Sequence, residues 1–179
     1  MKREGNLYSK IISIENLQLA DANAQKGKST QYGIRLHNKG REENIKSLHE
    51  TLAIREYKTS EYTVFKIHEP KERLIFKLPY FPDRIVHHAI MNVLKPIFIN
   101  CFTTDTYSCI NGRGIHGASR AIIKSLTDQP NTKYCLKLDI EKFYPSVDNE
   151  ILKSLLRRKF KDKDLMCLLD EIIDSAEIG

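Results

Sequence analysis

The apolar period of this chain changes twice between Glu42 and Leu94, which rules out a purely helical or purely β fold. From Glu42 to Ile54, the residues Ile45, Leu48, Leu52 and Ala53 share one face of a helix. Tyr62 to His68 then alternates, and Arg73 to Leu78 is a second short extended run. Glu69-Pro-Lys-Glu separates the two, so the segment predicts a β-hairpin. Past Pro79 and Pro82, Ile85, Val86, Ala89, Ile90, Val93 and Leu94 return to helical spacing, with Asp83 as the expected cap and Pro96 as the expected stop. The fold class this predicts is α+β, helix-rich with one small antiparallel hairpin.

The flanking sequence adds helices and one strand. Asn6 to Ala24 carries Leu7, Ile11, Ile12, Ile14, Leu17 and Leu19, a mixed pattern that favours helix. Asn111 to Gly117 is glycine-rich and leads into a helix bearing Ala118, Ala121, Ile122 and Leu126, and Gln129-Pro-Asn131 marks a turn. Tyr134 to Ile140 reads as an apolar strand buried on both faces, with an aspartate near its carboxyl end. Asp148 is the expected N-cap of a helix with Ile151, Leu152, Leu155 and Leu156, and Leu165 to Ile173 forms the last helix. No repeat or long linker divides the 179 residues, so one domain spanning 1–179 is expected.

Composition narrows the class of partner. A net charge of +6 favours polyanions, because lysine and arginine neutralise phosphates and release condensed counterions. No apolar run approaches the roughly 20 residues of a membrane span, and there is no secretory leader, so a soluble cytoplasmic protein without a membrane partner is expected. Cys101, Cys109, Cys135 and Cys167 have neither Cys-x-x-Cys nor zinc-finger spacing, and are expected to be buried, reduced and quiet.

The most informative stretch is Cys135-Leu-Lys-Leu-Asp-Ile-Glu-Lys-Phe-Tyr-Pro-Ser-Val-Asp148. A carboxylate at the carboxyl end of a buried strand can face a crevice and hold a hard divalent cation, although one aspartate and one carbonyl supply only part of such a site. Residue chemistry alone favours the plainer reading, in which Asp139 merely caps a strand-to-turn transition. The whole block, running on through Asn149-Glu-Ile-Leu-Lys-Ser-Leu-Leu-Arg-Arg-Lys, resembles the first catalytic aspartate motif of bacterial reverse transcriptases of the group II intron, retron and diversity-generating retroelement type.

That resemblance runs upstream, covering roughly Leu7 to Ser175. Glu69-Pro-Lys-Glu-Arg-Leu-Ile resembles the fingers hairpin, Asp83-Arg-Ile-Val-His-His-Ala-Ile the helix after it, and Tyr107-Ser-Cys-Ile-Asn-Gly-Arg-Gly-Ile-His-Gly-Ala a second fingers block. The resemblance implies the fingers and partial palm of a right-hand polymerase. It further implies Asp139 as the catalytic, metal-binding carboxylate, Ile140 as a metal-facing carbonyl, and Tyr144 as the aromatic gate against a ribose 2′-hydroxyl. It assigns Lys71 and Arg73 to the incoming triphosphate, and Arg84 and Arg113 to template or nucleotide. Guanidinium suits that work because its fork matches phosphate oxygens in pairs.

The implied partners are an RNA template, a primer or DNA strand and a deoxynucleotide, with Mg2+ as cofactor of the complete enzyme. Family members continue with Gly-x-Pro-x-Gly, a Tyr-x-Asp-Asp hairpin and a thumb, none of which occurs in these 179 residues. The C-terminal palm and thumb are therefore expected to be missing and the chain to be inactive alone. The alternative is a non-catalytic nucleic-acid-binding or assembly module. His87 and His88, adjacent on a helix and about 100° apart, are read as structural, as is His116. The basic run Lys153, Arg157, Arg158, Lys159, Lys161 and Lys163 is read as a solvated helix face that could flank a template groove.

Overall fold

The structure is a computed structural model that describes residues 3–68, 70 and 72–176. It divides into two compact units: Met1–Leu94 with Val147–Gly179, and Lys95–Ser146. Unit 1 contains α1 (Tyr8–Ile12), α2 (Ile14–Gln25), α3 (Tyr32–His37), α4 (Arg41–Ala53), the strands β1 (Thr63–His68) and β2 (Glu72–Lys77), and, late in the chain, α7 (Asn149–Lys159) and α8 (Lys163–Asp174). The division falls within α5 (Ile85–Ile99), and unit 2 holds α6 (Ile115–Leu126). Helices dominate, and the two strands form one antiparallel sheet. This matches the predicted α+β composition.

Local chemistry explains most boundaries. The single helix expected from Asn6 to Ala24 is two, because Ser13 leaves helical geometry (ψ 144°) and its hydroxyl accepts from the Asn16 amide as the α2 cap. Asp148 and Asp162 cap α7 and α8 in the same way, accepting from the amides of Ile151 and Leu165. Gly114 precedes α6 at φ 137°, a conformation L side chains rarely adopt. The helix α3, with Ile34 buried, was not anticipated, because six residues are too short for periodicity to register.

The core of unit 1 is built from Ile11, Leu17, Ala20, Leu52, Ile85, Val86, Ala89 and Leu165, all fully buried. Burying a large aliphatic side chain contributes about 1.5–3 kcal/mol. Several polar groups in this core are matched. Asn16 donates to the carbonyls of Ile11 and Ala89 and accepts from Asn92, and the Tyr8 hydroxyl donates to the Leu52 carbonyl at 2.6 Å. Asp162 also accepts from the amides of Leu7 and Tyr8 at 2.7 and 2.9 Å, tying the start of α1 to the start of α8.

Four expectations are corrected. Pro96 does not stop α5, which runs to Ile99; its missing N–H costs one bond near the helix end, and the Asn100 amide still reaches the Pro96 carbonyl. Asp83 is not a helix cap. It is buried in the turn Tyr80–Arg84 and accepts from the Tyr57 hydroxyl and the Ser60 amide. The segment 134–140 is neither a strand nor buried: Tyr134, Leu136 and Leu138 are 96%, 80% and 81% exposed. A strand needs a neighbour for its amides and carbonyls, and among the described residues only β1 and β2 pair as a sheet. Finally, all four cysteines are free but exposed, since they lie in loops, in this open segment or on the outer side of α8.

Candidate nucleic-acid interface

In unit 1 the hairpin presents Arg73 from β2. The register pairs Ile67 with Arg73 and Lys66 with Leu74, so Arg73 shares a face with Phe65, Ile67 and Ile75. The neighbouring carboxylate, Glu72, projects to the opposite face and pairs there with Lys66 at 2.8 Å. Alternation along the strand therefore separates Arg73 from its nearest acid. The guanidinium is exposed and has no ion-pair partner among the described residues, as a phosphate-binding group requires. Lys71 lies outside the described residues.

Arg84 is exposed at the end of the turn Tyr80–Arg84, immediately before α5. Asp83 next to it is held inward by Tyr57 and Ser60, at 2.7 and 3.1 Å from its Oδ1. Burial, followed by the adjacent carboxylate of Asp83, pushes the Tyr57 hydroxyl well above the ordinary tyrosine range, so it stays a proton donor. His87 and His88 are partly buried on the next turn. Burial pushes both imidazoles below the ordinary histidine value, and the nearby Arg84 charge lowers them further. That keeps them neutral, as a structural role requires.

In unit 2, Arg113 is exposed but engaged: its Nη1 donates toward the carbonyls of Thr103, Thr104 and Thr106 at 3.4, 3.2 and 3.1 Å. It braces the loop ahead of α6 with one edge of the guanidinium. Asp139 and Ile140 lie in the open segment 134–140, with Ile140 67% exposed, and the Asp139 carboxylate has no hydrogen-bond or ion-pair partner among the described residues. Tyr144 begins a short 3₁₀ turn, is 82% exposed, and meets Phe143 edge-on with ring centroids 5.4 Å apart. Asp139, Ile140, Tyr144 and Arg113 thus belong to one unit, and Arg73 and Arg84 to the other. No group of three or more His, Cys, Asp or Glu poised for a metal occurs among the described residues.

Half of the basic run on α7 is already committed. Lys153 is buried between Glu150 and Asp174, and Arg157 pairs with Asp170 at 2.6 Å. Hydrogen bonds from Asp174 and Glu150 hold the Lys153 ammonium above its ordinary pKa. Sequence reasoning also passed over a buried network in unit 1. Asp21 accepts from Tyr80, Gln25 and Arg41 and faces His37 Nε2 at 3.3 Å. Burial alone would raise the Asp21 carboxyl; the hydrogen bonds from His37, Tyr80, Gln25 and Arg41 outweigh it and hold the group well below the usual carboxylate range. Asp21 sits in an ordinary helical pattern, so nothing local marks it.

No protein-family model matches this chain. Over 103 residues, 56% of the chain, it is 29% identical to Protein YkfC of Escherichia coli K12, a match covering 27% of that protein. Over 99 residues, 55% of the chain, it is 25% identical to Nuclear intron maturase 1, mitochondrial, of Arabidopsis thaliana, covering 14% of that protein. The likeness to an intron maturase is distant and partial. In both cases the matched region is only a minor share of the relative's length. No helix among the described residues is long and apolar enough to cross a membrane.

Proposed function

We propose that these 179 residues are the fingers and the first part of the palm of a reverse-transcriptase-like protein, binding RNA and contributing one motif aspartate to a polymerase centre completed by further chain. The partial likeness to an intron maturase carries this reading. Arg73 on the hairpin and Asp139, neither of which has an ion-pair partner among the described residues, are consistent with it. From unit 1, Arg73 and Lys71 would meet the triphosphate of an incoming deoxynucleotide, and Arg84 the template. From unit 2, Arg113 would meet template or nucleotide, and Tyr144 would crowd a ribose 2′-hydroxyl.

Asp139 with the Ile140 carbonyl offers two hard oxygen donors, which suits Mg2+, an ion commonly held by one or two carboxylates plus waters and substrate phosphates. When bound, the ion supplies charge neutralisation and activation of the attacking oxygen. One carboxylate is a partial donor set, so the isolated chain is expected not to extend a primer. The family's Tyr-x-Asp-Asp aspartates are not in this sequence. A second reading, a non-catalytic nucleic-acid-binding module, is favoured by the same shortage of clustered carboxylates.

The test is two-part. The chain should bind single-stranded RNA with an affinity that falls steeply with salt, and primed RNA with deoxynucleotides and Mg2+ should yield no product beyond that of Asp139→Ala. Supplying a palm and thumb from a relative in trans should restore synthesis that depends on Asp139. Restored RNA binding without any Asp139-dependent synthesis would favour the binding module, and absence of RNA binding would defeat both readings.

A further inference from the structure

The structure adds Arg3, from the start of the chain, to the basic run that the sequence places on α7. Glu4 and Phe160 form a parallel bridge: the Glu4 amide donates to the Lys159 carbonyl at 2.9 Å, and the Lys161 amide to the Glu4 carbonyl at 2.8 Å. At Gly5 a Cβ would fall 2.8 Å from Cε of Lys161, the flexible end of a side chain that can shift. The bridge lays Arg3 beside the end of α7. Arg3, Ser154, Arg157 and Arg158 then line an open cleft of about 510 Å³ within unit 1.

On α7, Ser154 lies one turn before Arg157 and Arg158, so all three share a face. The Ser154 hydroxyl donates to the Ile151 carbonyl, making it a wall rather than a phosphate donor. Arg157 gives one nitrogen to Asp170, whereas Arg3 and Arg158 have no ion-pair partner among the described residues. Cations at a helix carboxyl end complement its dipole, which accounts for Arg157 and Arg158 as ordinary surface residues. It does not account for Arg3, which arrives from a different part of the chain. Three guanidiniums against the Asp170 carboxylate and the roughly half-charge of the helix end leave the cleft at roughly +1.5. The residual charge attracts anions.

We propose that this cleft, formed where Arg3 joins the α7 end of the Asp139 motif block, binds the phosphate backbone of single-stranded RNA. This rests on the reading of the chain as RNA-binding. The cleft has no aromatic lining and no aligned set of base-edge donors, so the contact is to backbone and tolerant of sequence. Neutralising two single-strand phosphates contributes about 1.4 to the slope of log affinity against log salt, at about 0.7 per phosphate.

The experiment measures binding of the full chain to a fluorescein-labelled oligouridylate by anisotropy across a salt series. Arg3→Ala/Arg158→Ala is compared with Lys28→Ala/Lys39→Ala, which removes the same charge from exposed positions elsewhere. The cleft variant should bind several-fold more weakly and lose about 1.4 from the salt slope, while the control stays near wild type. Arg158→Lys, tested alone, should keep most of the slope, because an ammonium still neutralises a phosphate. Equal losses in both double variants would show diffuse charge and overturn the proposal. Unchanged binding in the cleft variant, with wild-type RNA binding intact, would overturn the cleft alone. Absence of RNA binding by wild type would overturn the cleft together with the reading on which it rests. Circular dichroism melts confirm that each variant is folded.

Discussion

Asp21 shows how a single carboxylate can organise a helical subdomain. It is fully buried, and besides Gln25 on its own helix it is held from three other parts of unit 1: His37 on α3, Arg41 on α4, and Tyr80 after the hairpin. Breaking a buried charged network by removing one partner costs about 3–5 kcal/mol, so Asp21→Asn should lower the unfolding free energy by about 3 kcal/mol in urea at neutral pH. A pH comparison separates charge from shape. Because the folded pKa of Asp21 is depressed, its contribution is complete above the unfolded value of about 4 and drains away as pH falls below that toward the folded value. Wild type should therefore lose more stability than Asp21→Asn between pH 7 and pH 2; parallel losses would show that the carboxylate is not what holds the network. Tyr57→Phe is a smaller test of the same kind. It leaves the buried Asp83 with the Ser60 amide as its remaining hydrogen-bond donor, and should cost about 1–3 kcal/mol in the same assay.

Among the elements, the cap at Asp148 was readable, whereas Asp83 is drawn into the buried turn Tyr80–Arg84 and caps nothing. Asp148 could be assigned as an N-cap because capping depends on four consecutive residues and one carboxylate. Asp162 does more than its position in sequence suggests, since it caps α8 and also receives the amides of Leu7 and Tyr8. Asp162→Ala should thus cost more than Asp148→Ala, about 2 kcal/mol or above against about 1 kcal/mol, by chemical denaturation. Equal losses would mean that the α1 contact contributes nothing. The hairpin was legible because alternation and a Pro-containing connection are local signals, and the exposed Arg73 followed from its register. Residues 134–140 were misread for the opposite reason. An apolar run records a tendency to be buried, but its partners are set by distant chain. Pro96 misled likewise, because a proline near a helix end costs little that neighbouring turns cannot absorb.

At the scale of the whole molecule, the two units differ in how well they satisfy their own backbone and apolar groups. Nearly all the buried hydrophobic residues lie in unit 1, whereas α6 in unit 2 exposes Ile115, Ile122, Ile123 and Leu126. No backbone hydrogen bond protects the amides of 134–140 among the described residues. In hydrogen exchange these amides should reach full exchange at the earliest times, while the buried turns of α2, α4 and α5 up to Leu94 stay protected to near the global stability of unit 1. Slow exchange across 134–140 would show a paired strand instead. The resemblance read from the motif residues was legible only as a pattern of names and spacings. Arg3 beside Arg158 was not legible at all, because no rule of sequence spacing connects a residue near the start of the chain to the end of α7.

The parallel bridge between Glu4 and Phe160 also sets a timetable. Unit 1 is left at Leu94 and re-entered at Val147, and its first helix finds its capping carboxylate only at Asp162. During synthesis at roughly 5–20 residues per second, α1 must wait on the order of ten seconds without the Asp162 carboxylate that accepts the amides of Leu7 and Tyr8. Closing so long a loop adds little to the final free energy but slows the closing step, since the entropy is lost before the contacts form. A newborn chain stopped anywhere before α8 therefore emerges with the opening pages of its fold written and their binding still absent.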